Sequence, residues 1–314
     1  MEKKTERIKA VMIGHAVGDA LGVPVEFESR RKLEKHPVTD MMGYGTYHVP
    51  AGAWSDDTSM AVAALDSLAD GAIHYREIME NFVKWLDGGR YTPTGHTFDV
   101  GGTCMRAIMN FTYDPKQNPT ECGLSGDYSN GNGSLMRIHP FVMMTYFCEG
   151  LRGERDAVAE NGSSLTHAHE RSKLACKIYA RILFALLDDP SKESVSTALA
   201  QAKAAYADSA EHETYARLFD GDFAQTKISD IRSSGYVVDT LEAAVWCLLT
   251  TETYGECVLK AVNLGEDTDT VAAIAGGLAG ALYGYEAIPK KWREALLERQ
   301  TIEAMCERAA QNWT

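Results

Sequence analysis

Two short acidic segments carry the side chains best suited to chemistry. One reads Gly-Glu-Asp-Thr-Asp-Thr at residues 265–270, and the other reads Trp-Ser-Asp-Asp-Thr at residues 54–58. Each precedes a long apolar run, so its carboxylates repel one another beside a surface that disfavours charge. Their oxygens are the hard ligands that Mg²⁺ and Mn²⁺ prefer, and neither segment has the His or Cys of a zinc site. If the segments meet, their four aspartates would suit two divalent cations in a hydrolytic site.

A simpler interpretation is that each acidic segment only begins a helix. Asp, Ser and Thr accept hydrogen bonds from the free N–H groups of a first helical turn, and acidic residues suit the positive end of the helix dipole. A cap uses one or two oxygens, whereas each segment offers more than that. Helix capping therefore does not account fully for both segments. Calcium fits less well, because neither segment has the twelve-residue spacing of an EF-hand loop.

The segments that must position these side chains are predicted to be helical almost throughout. Apolar residues recur at helical spacing in 1–22, 56–71, 74–89, 169–190, 191–209, 239–263, 271–284 and 289–310. Strand signals are scarce, since short β-branched runs pass directly into helical pattern. The sequence predicts an all-α fold in a single domain spanning residues 1–314. Loops that carry chemistry are expected at 28–54, 88–103, 112–135 and 219–236.

Rows of glycine suggest that two of these helices touch through their backbones. Glycines recur every fourth residue on one face of the first helix, and a second group lies in the apolar run after residue 270. Glycine lets a neighbouring helix approach closely, so we expect tight helix packing within the protein rather than membrane dimerisation. The two groups are Gly14, Gly18 and Gly22, and Gly276, Gly277, Gly280 and Gly284.

Composition narrows the classes of function. Lys and Arg total 31 against 44 Asp and Glu, and the net charge of −13 disfavours a nucleic-acid partner. The seven cysteines include no Cys-x-x-Cys pair, so neither a disulfide framework nor a thiolate zinc site is predicted. The apolar run at 271–285 falls short of the ~20 residues that cross a bilayer, and no signal-peptide pattern is present. We expect a cytoplasmic monomer without a membrane partner.

Five motifs follow one another along the chain, namely GDALGVPVEF at 18–27, WSDDTSM at 54–60, GNGSLMRIHP at 131–140, LTHAHE at 165–170 and GEDTDTVAAIAGGLAGALYG at 265–284. In this order they resemble the ADP-ribosylglycohydrolase family, which includes dinitrogenase-reductase-activating glycohydrolase and the ADP-ribosylarginine hydrolases. The resemblance implies a compact, all-α, multi-helix orthogonal bundle with two Mg²⁺ or Mn²⁺ ions in a cleft. It also implies hydrolysis of the bond between C1″ of the distal ribose of ADP-ribose and its acceptor.

The resemblance also implies roles for individual carboxylates. Glu26 matches the family's glutamate beside the metals, and Asp99, in TFDVGGT, matches its Asp-x-Gly loop. Both are candidates for proton transfer, and Asp99 also for contact with the guanidinium of an arginine acceptor. Without the resemblance, Glu26 would be interpreted as a solvated loop residue and Asp99 as a turn residue before two glycines. The implied metal ligands are Ser55, Asp56, Asp57, Asp267, Asp269 and Thr270, with Ser55 standing where many relatives have Thr.

A further group of residues is assigned to substrate binding. Glycines in GNGSLMR let backbone N–H groups approach an anion, and Asn132 and Ser134 add hydrogen bonds. His167 and His169, two positions apart, are expected on different faces of a helix and so not as joint metal ligands. His167 is a candidate ribose or phosphate contact, and Tyr236 either stacks on adenine or belongs to the core. The full set is Gly131, Asn132, Gly133, Ser134, Met136, His167 and Tyr236.

These assignments predict an enzyme, a metal-dependent hydrolase that removes ADP-ribose from an acceptor, with protein arginine as the favoured acceptor. Its partners would be an ADP-ribosylated protein and ADP-ribose. One alternative is a two-metal hydrolase that acts on another ADP-ribose conjugate, nucleotide or phosphate ester. Another is a non-catalytic family member that only binds ADP-ribose. The complete set of oxygen-bearing positions favours the enzyme.

Overall fold

The computed structural model describes residues 1–314 and contains 14 α-helices with no β-sheet. The predicted all-α class is confirmed, and 89 buried hydrophobic residues form a continuous core. The helices are α1 (Glu2–Gly22), α2 (Arg30–Lys35), α3 (Asp56–Leu68), α4 (Tyr75–Gly88), α5 (Gly102–Tyr113), α6 (His139–Phe147), α7 (Arg155–Ser164), α8 (Glu170–Asp188), α9 (Lys192–Ala205), α10 (Val237–Leu249), α11 (Tyr254–Val262), α12 (Thr268–Tyr283), α13 (Lys290–Ala295) and α14 (Arg299–Asn312).

Helices α1 and α12 form the centre of the fold and run antiparallel with their backbones in contact. A Cβ added to Gly18 would lie 2.0 Å from the carbonyl oxygen of Ala272, and one added to Gly280 would lie 2.0 Å from that of Ala10. No larger residue fits at either position unless the helices separate. The predicted close packing of the glycine rows is confirmed here, and this pair of helices becomes the base of the candidate site.

Two of the predicted glycines differ from those in the closest backbone contacts. Gly284 has φ 85° and lies just beyond the end of α12, with no atom near the position of a Cβ. It ends the helix, so the prediction that it packs against another helix was wrong. A Cβ added to Gly277 would lie 3.5 Å from the Tyr179 hydroxyl of α8 and 3.6 Å from the His15 Cβ of α1, so Gly277 packs against both helices at ordinary contact distance. Spacing every fourth residue identified the packed face, but it could not show where the helix ends.

Two predicted helical segments are each broken in two. Segment 239–263 divides into α10 and α11, and the Thr253 side chain caps α11 by accepting from the Glu256 N–H. Segment 289–310 divides into α13 and α14 beside Glu298, which has φ 49°. Apolar periodicity runs through both breaks, because a turn of three or four residues barely changes the phase of the pattern. Helices α2, α5, α6 and α7 were not predicted, and α2 lies within the expected loop at 28–54.

The segment Glu2–Val25 is long and apolar enough to cross a membrane, judged by length and composition. In the structure, 94% of its most apolar window is buried inside the protein. Its packing against α12 accounts for that composition.

Loops at one end of the core bring distant parts of the chain together. The first turns of α3 and α12 meet there, close to the segment that follows α1. Two isolated β-bridges fasten the intervening loops, one between Leu124 and His167 and one between Gly131 and Tyr236. The helices thus present their amino termini, and the loops their glycines, to a single region.

Candidate active site

The two acidic segments meet at the amino termini of α3 and α12. The Ser55 hydroxyl accepts from the Asp57 N–H at 3.3 Å, and the Asp267 carboxylate accepts from the Thr270 N–H at 3.3 Å. Each segment therefore caps its helix, as the simpler interpretation held. The Thr270 hydroxyl also donates to Asp57 Oδ2 at 3.2 Å, which joins the two segments directly. Capping and convergence are both present, so the hypothesis that the segments meet is supported.

Carboxylates gather densely at this junction. Oxygens of Glu26, Asp267 and Asp269 all lie within 4.8 Å of one another. Asp56 and Asp57 are almost completely buried beside them. Burial raises the pKa of Asp56, Asp57 and Asp269 well above the ordinary value, and neighbouring carboxylates raise it further. The protein concentrates negative charge here at a considerable electrostatic cost.

The donor set fits a hard divalent cation. Asp57 Oδ1 and Asp269 Oδ2 are buried and have no hydrogen-bond partner. No Lys or Arg lines the cavity in front of them. A buried carboxylate oxygen without a donor is costly, and a cation with a preference for oxygen would offset that cost. The residues present thus agree with the metal site that the family resemblance implies.

A buried aspartate on α1 supports the cluster, although sequence analysis did not assign it to the site. Asp19 accepts hydrogen bonds from the N–H of Ser55 at 2.9 Å, and from the N–H and hydroxyl of Thr58 at 3.0 and 2.7 Å. Burial raises its pKa despite these bonds. Asp19 therefore fixes the first turn of α3 against α1. The available signals were an aspartate within an apolar helix and its place in the motif GDALGVPVEF at 18–27.

We expect Asp19→Asn to lower the free energy of unfolding by about 1–3 kcal/mol. Each carboxylate oxygen faces a buried backbone N–H, so either orientation of the amide places an NH₂ group against a donor. Denaturant unfolding would measure the loss. Asp208→Asn, at an exposed position, is the matched control and should change stability by less than about 0.5 kcal/mol. Equal stability of the two variants would contradict the role given to Asp19.

Glu26 and Asp99 lie at the same cavity, as the resemblance implies. Tyr47 donates a hydrogen bond to Glu26 Oε2 at 2.6 Å, and its ring packs against Phe98 with centroids 4.9 Å apart. Burial and the nearby Asp99 carboxylate raise the pKa of Glu26. Asp99 itself is half-buried and has φ 54°. Tyr47 was missed because it comes from a loop whose contact with Glu26 depends on the tertiary fold.

A cavity of about 250 Å³ opens in front of the carboxylates. Most of the residues assigned to the site from the sequence contribute to its wall. The wall also contains residues that sequence analysis did not assign, namely Phe27, Gly101, Gly102, Thr103, Cys104 and Gly235. The assigned residues in the wall are Glu26, Asp56, Asp99, Gly131, Asn132, Gly133, Met136, His167, Asp267 and Thr270.

The polar groups of Asn132, in the Gly-Asn-Gly segment at 131–133, form more hydrogen bonds within the protein than expected. The Asn132 amide donates to Asp267 Oδ2 at 2.8 Å and to the Thr240 hydroxyl at 3.1 Å. Its backbone N–H donates to the Gly235 carbonyl. A Cβ added to Gly133 would lie 2.8 Å from the Cys104 sulfur. Asn132 thus orients a carboxylate of the cluster, and Gly133 leaves space in a crowded wall.

Several assigned residues lie away from the cavity wall. Ser55, Asp57 and Asp269 lie behind it at the helix junction. Ser134 is fully buried, accepting from Ser163 Oγ at 2.9 Å and contacting Cys176 Sγ at 3.6 Å. Its predicted hydrogen bond to substrate therefore has no route to the cavity. Asn132 reaches the cavity wall, whereas Ser134, at the start of the short helical turn 135–137, directs its side chain into the core.

The two histidines and Tyr236 also differ from expectation. His167 lines the cavity from a loop, and Thr166 Oγ1 lies 2.9 Å from its Nδ1. His169 caps α8 by accepting from the Arg171 N–H at 3.1 Å. The expectation that both belong to a helix was wrong, because α8 begins only at residue 170. Tyr236 is half-buried outside the cavity, with the Arg171 guanidinium 5.8 Å from its ring centroid.

Comparison with known proteins gives consistent matches. The sequence model for ADP-ribosylglycohydrolase matches residues 1–314. The chain is 33% identical over 303 residues to ADP-ribosylarginine hydrolase Tri1 of Serratia proteamaculans, covering 96% of this chain and 78% of that protein. It is 29% identical over 294 residues to ADP-ribosyl-[dinitrogen reductase] glycohydrolase of Rhodospirillum rubrum, covering 93% and 90%. A solved structure described as an ADP-ribosylglycohydrolase-related protein complex superposes with a TM-score of 0.82 at 27% identity, covering 100% of both chains.

Proposed function

We propose a specific activity on the premise that the chain belongs to the ADP-ribosylglycohydrolase family. It is a metal-dependent hydrolase that removes ADP-ribose from arginine side chains of modified proteins. The main support for the proposal is the buried carboxylate cluster at the junction of α3 and α12. Its unpartnered oxygens, Asp57 Oδ1 and Asp269 Oδ2, would be stabilised by a cation. Similarity across 96% of the chain to an ADP-ribosylarginine hydrolase supports the choice of acceptor.

The proposed cofactor is a pair of divalent cations, Mg²⁺ or Mn²⁺. Ser55, Asp56, Asp57, Asp267, Asp269 and Thr270 would hold them. When bound, such ions act as Lewis acids that orient hydroxyl oxygens and lower the pKa of water. The chain supports these ligands from behind, through Asp19 under the first turn of α3 and through the Asn132 amide on Asp267.

Proton transfer is assigned to Glu26 and Asp99. In the proposed reaction the bond between C1″ and the guanidine nitrogen breaks, water supplies hydroxide to C1″, and a proton reaches the departing nitrogen. Burial and the nearby Asp99 carboxylate raise the pKa of the Glu26 carboxyl above its ordinary value in the metal-free protein. Tyr47 orients that carboxyl through its 2.6 Å hydrogen bond. Asp99 would accept N–H groups of the acceptor.

The size of the cavity limits what it encloses. Its volume of about 250 Å³ is below the ~300–1,000 Å³ of pockets that bury a whole drug-sized ligand. The distal ribose and the acceptor group would occupy it, while the rest of ADP-ribose extends along the surface. Glycines at 131, 133 and 235 leave backbone rather than side chains on that path.

The direct test is release of free ADP-ribose from an arginine-ADP-ribosylated protein, with a serine-linked peptide assayed in parallel. We expect release from the arginine substrate with Mg²⁺ or Mn²⁺, falling at least about 100-fold with chelator, since metal stabilisation of a transition state is worth several kcal/mol. Release from the serine peptide alone would refute the acceptor. Release that is indifferent to chelator would refute the metal dependence.

A further inference from the structure

Phe27 is an aromatic side chain in an unexpected place. It lines the cavity immediately after Glu26, yet it is 70% exposed. Large apolar side chains normally contribute to stability through burial, and this one buries little of its surface. Core packing therefore does not explain an aromatic residue at position 27.

The backbone conformation of Phe27 is also unusual for a bulky residue. Its φ is 66°, in the left-handed region that favours glycine and disfavours bulky residues. The Phe27 N–H donates to the Glu266 carbonyl at 2.7 Å, and the Glu266 N–H donates to the Glu28 carbonyl at 2.8 Å. These two bonds tie the loop to the segment before α12 and hold the backbone from which the Phe27 ring projects. Strain that the surroundings enforce at a cavity is typical of a functional position.

The cavity that Phe27 lines has the electrostatics of a cation site. Its wall holds four carboxylates, and it includes no Lys or Arg. Asp56 and Asp267 belong to the proposed metal ligands. Asp99, beside Glu26, does not, so its carboxylate can contact the acceptor group. Asp99, like Phe27, has a positive φ, at 54°. An aromatic ring and a carboxylate outside the proposed metal ligands thus share the cavity, both held by loops in constrained conformations.

A guanidinium group matches this pair of residues better than a hydroxyl or a carboxyl acceptor group does. It is planar and weakly hydrated, it stacks on aromatic faces, and its N–H groups bind carboxylates. A serine acceptor has neither a cation nor a flat face. The combination of ring and carboxylate would therefore separate arginine from serine.

We propose that Phe27 is a specificity-determining residue that stacks on the guanidinium of the arginine acceptor while Asp99 accepts its N–H groups. This inference rests on the proposed function and adds to it the apolar half of the acceptor site. Stacking of Phe27 on the adenine of ADP-ribose is the competing assignment, and the experiment separates the two.

The kinetic test compares Phe27→Leu with Phe27→Trp. Leucine keeps an apolar side chain of similar reach without a π face, and tryptophan restores one. For an arginine-linked ADP-ribosyl peptide, we expect Phe27→Leu to raise KM by about 5–30-fold with kcat changed less than about threefold. Phe27→Trp should return KM to within about twofold of the original protein. The Kd for ADP-ribose should stay unchanged in both variants.

Two results would overturn the inference. One is a KM for Phe27→Leu that equals that of the original protein. The other is a Kd for ADP-ribose that weakens as much as KM rises, which would place the ring on the adenine.

A binding experiment that needs no turnover keeps the inference separate from the proposed function. N-ethylguanidine and its neutral isostere N-ethylurea are titrated into the Mg²⁺-loaded protein with ADP-ribose and followed by saturation-transfer NMR. We expect a preference for N-ethylguanidine that Phe27→Leu abolishes. If that preference exists but arginine-linked ADP-ribose is not released, the proposed function fails and the guanidinium site stands. Turnover without any such preference overturns the guanidinium site alone.

Discussion

Asp269→Asn is expected to lower the rate of metal-dependent ADP-ribose release by at least about 100-fold. The substitution keeps the shape of the side chain, and an amide oxygen still accepts from the Thr270 N–H at the 2.9 Å position. It removes a charged ligand from the cluster with Glu26 and Asp267. Metal affinity and turnover should therefore fall together.

The same variant should be more stable than the original protein when metal is withheld at neutral pH. The pKa of Asp269 is raised in the folded state by burial and by Glu26, so the unfolded state releases its proton first as pH rises. Stability of the metal-free protein accordingly falls as pH rises above about 4, the ordinary pKa of an aspartate. An asparagine does not titrate, so the gain should appear at pH 7 and vanish below about pH 4.

Thermal unfolding with and without Mn²⁺ measures these effects independently of activity. The midpoint of the original protein should rise with metal, and that of Asp269→Asn should stay constant. Asp87→Asn, at an exposed position on α4, is the control and should respond to metal like the original protein. A metal-induced rise that survives in Asp269→Asn, together with turnover within about threefold of normal, would exclude Asp269 as a ligand.

Gly18→Ala is expected to destabilise the protein by more than about 3 kcal/mol or to prevent folding. The new methyl group would lie 2.0 Å from the carbonyl oxygen of Ala272 and 2.6 Å from its carbon. Both atoms belong to the backbone of α12, so a change of rotamer cannot relieve the clash. The helices must move apart, and the first turn of α12 carries Asp269. Any folded fraction should therefore also bind metal more weakly.

Gly277→Ala is the matched control, because it introduces the same methyl group on α12 within the same core. Its nearest neighbour is the Tyr179 hydroxyl at 3.5 Å, an ordinary contact. Alanine also favours a helix over glycine by up to ~1 kcal/mol, so stability should hold or rise. Urea unfolding of the two variants measures the difference. If both variants have similar free energies of unfolding, α1 and α12 can move apart at little cost, which would contradict this prediction.

Local patterns in the sequence predicted the parts of the site that depend on local rules. The cap residues Ser55 and Asp267 predicted where α3 and α12 begin. The density of negative charge in the two acidic segments favoured a cation between them. The break between α10 and α11 was missed because it leaves the apolar period almost intact. Asp19 and Tyr47 were missed because each acts on a residue distant in the chain. The burial of Ser134 was not foreseen, because composition alone cannot show which way a turn directs its side chains.

The pairing of α1 with α12 has a consequence for how the protein is made. The Thr268 hydroxyl donates to the Gly22 carbonyl across 246 residues of sequence. At a synthesis rate of ~5–20 residues per second, α1 leaves the ribosome roughly 12–50 s before its partner does. During that interval its glycine face has no α12 to cover it, and the cluster lacks the carboxylates of Asp267 and Asp269. Every nascent chain that stops short of α12 is therefore expected to be inactive and to depend on chaperones to shield its first helix.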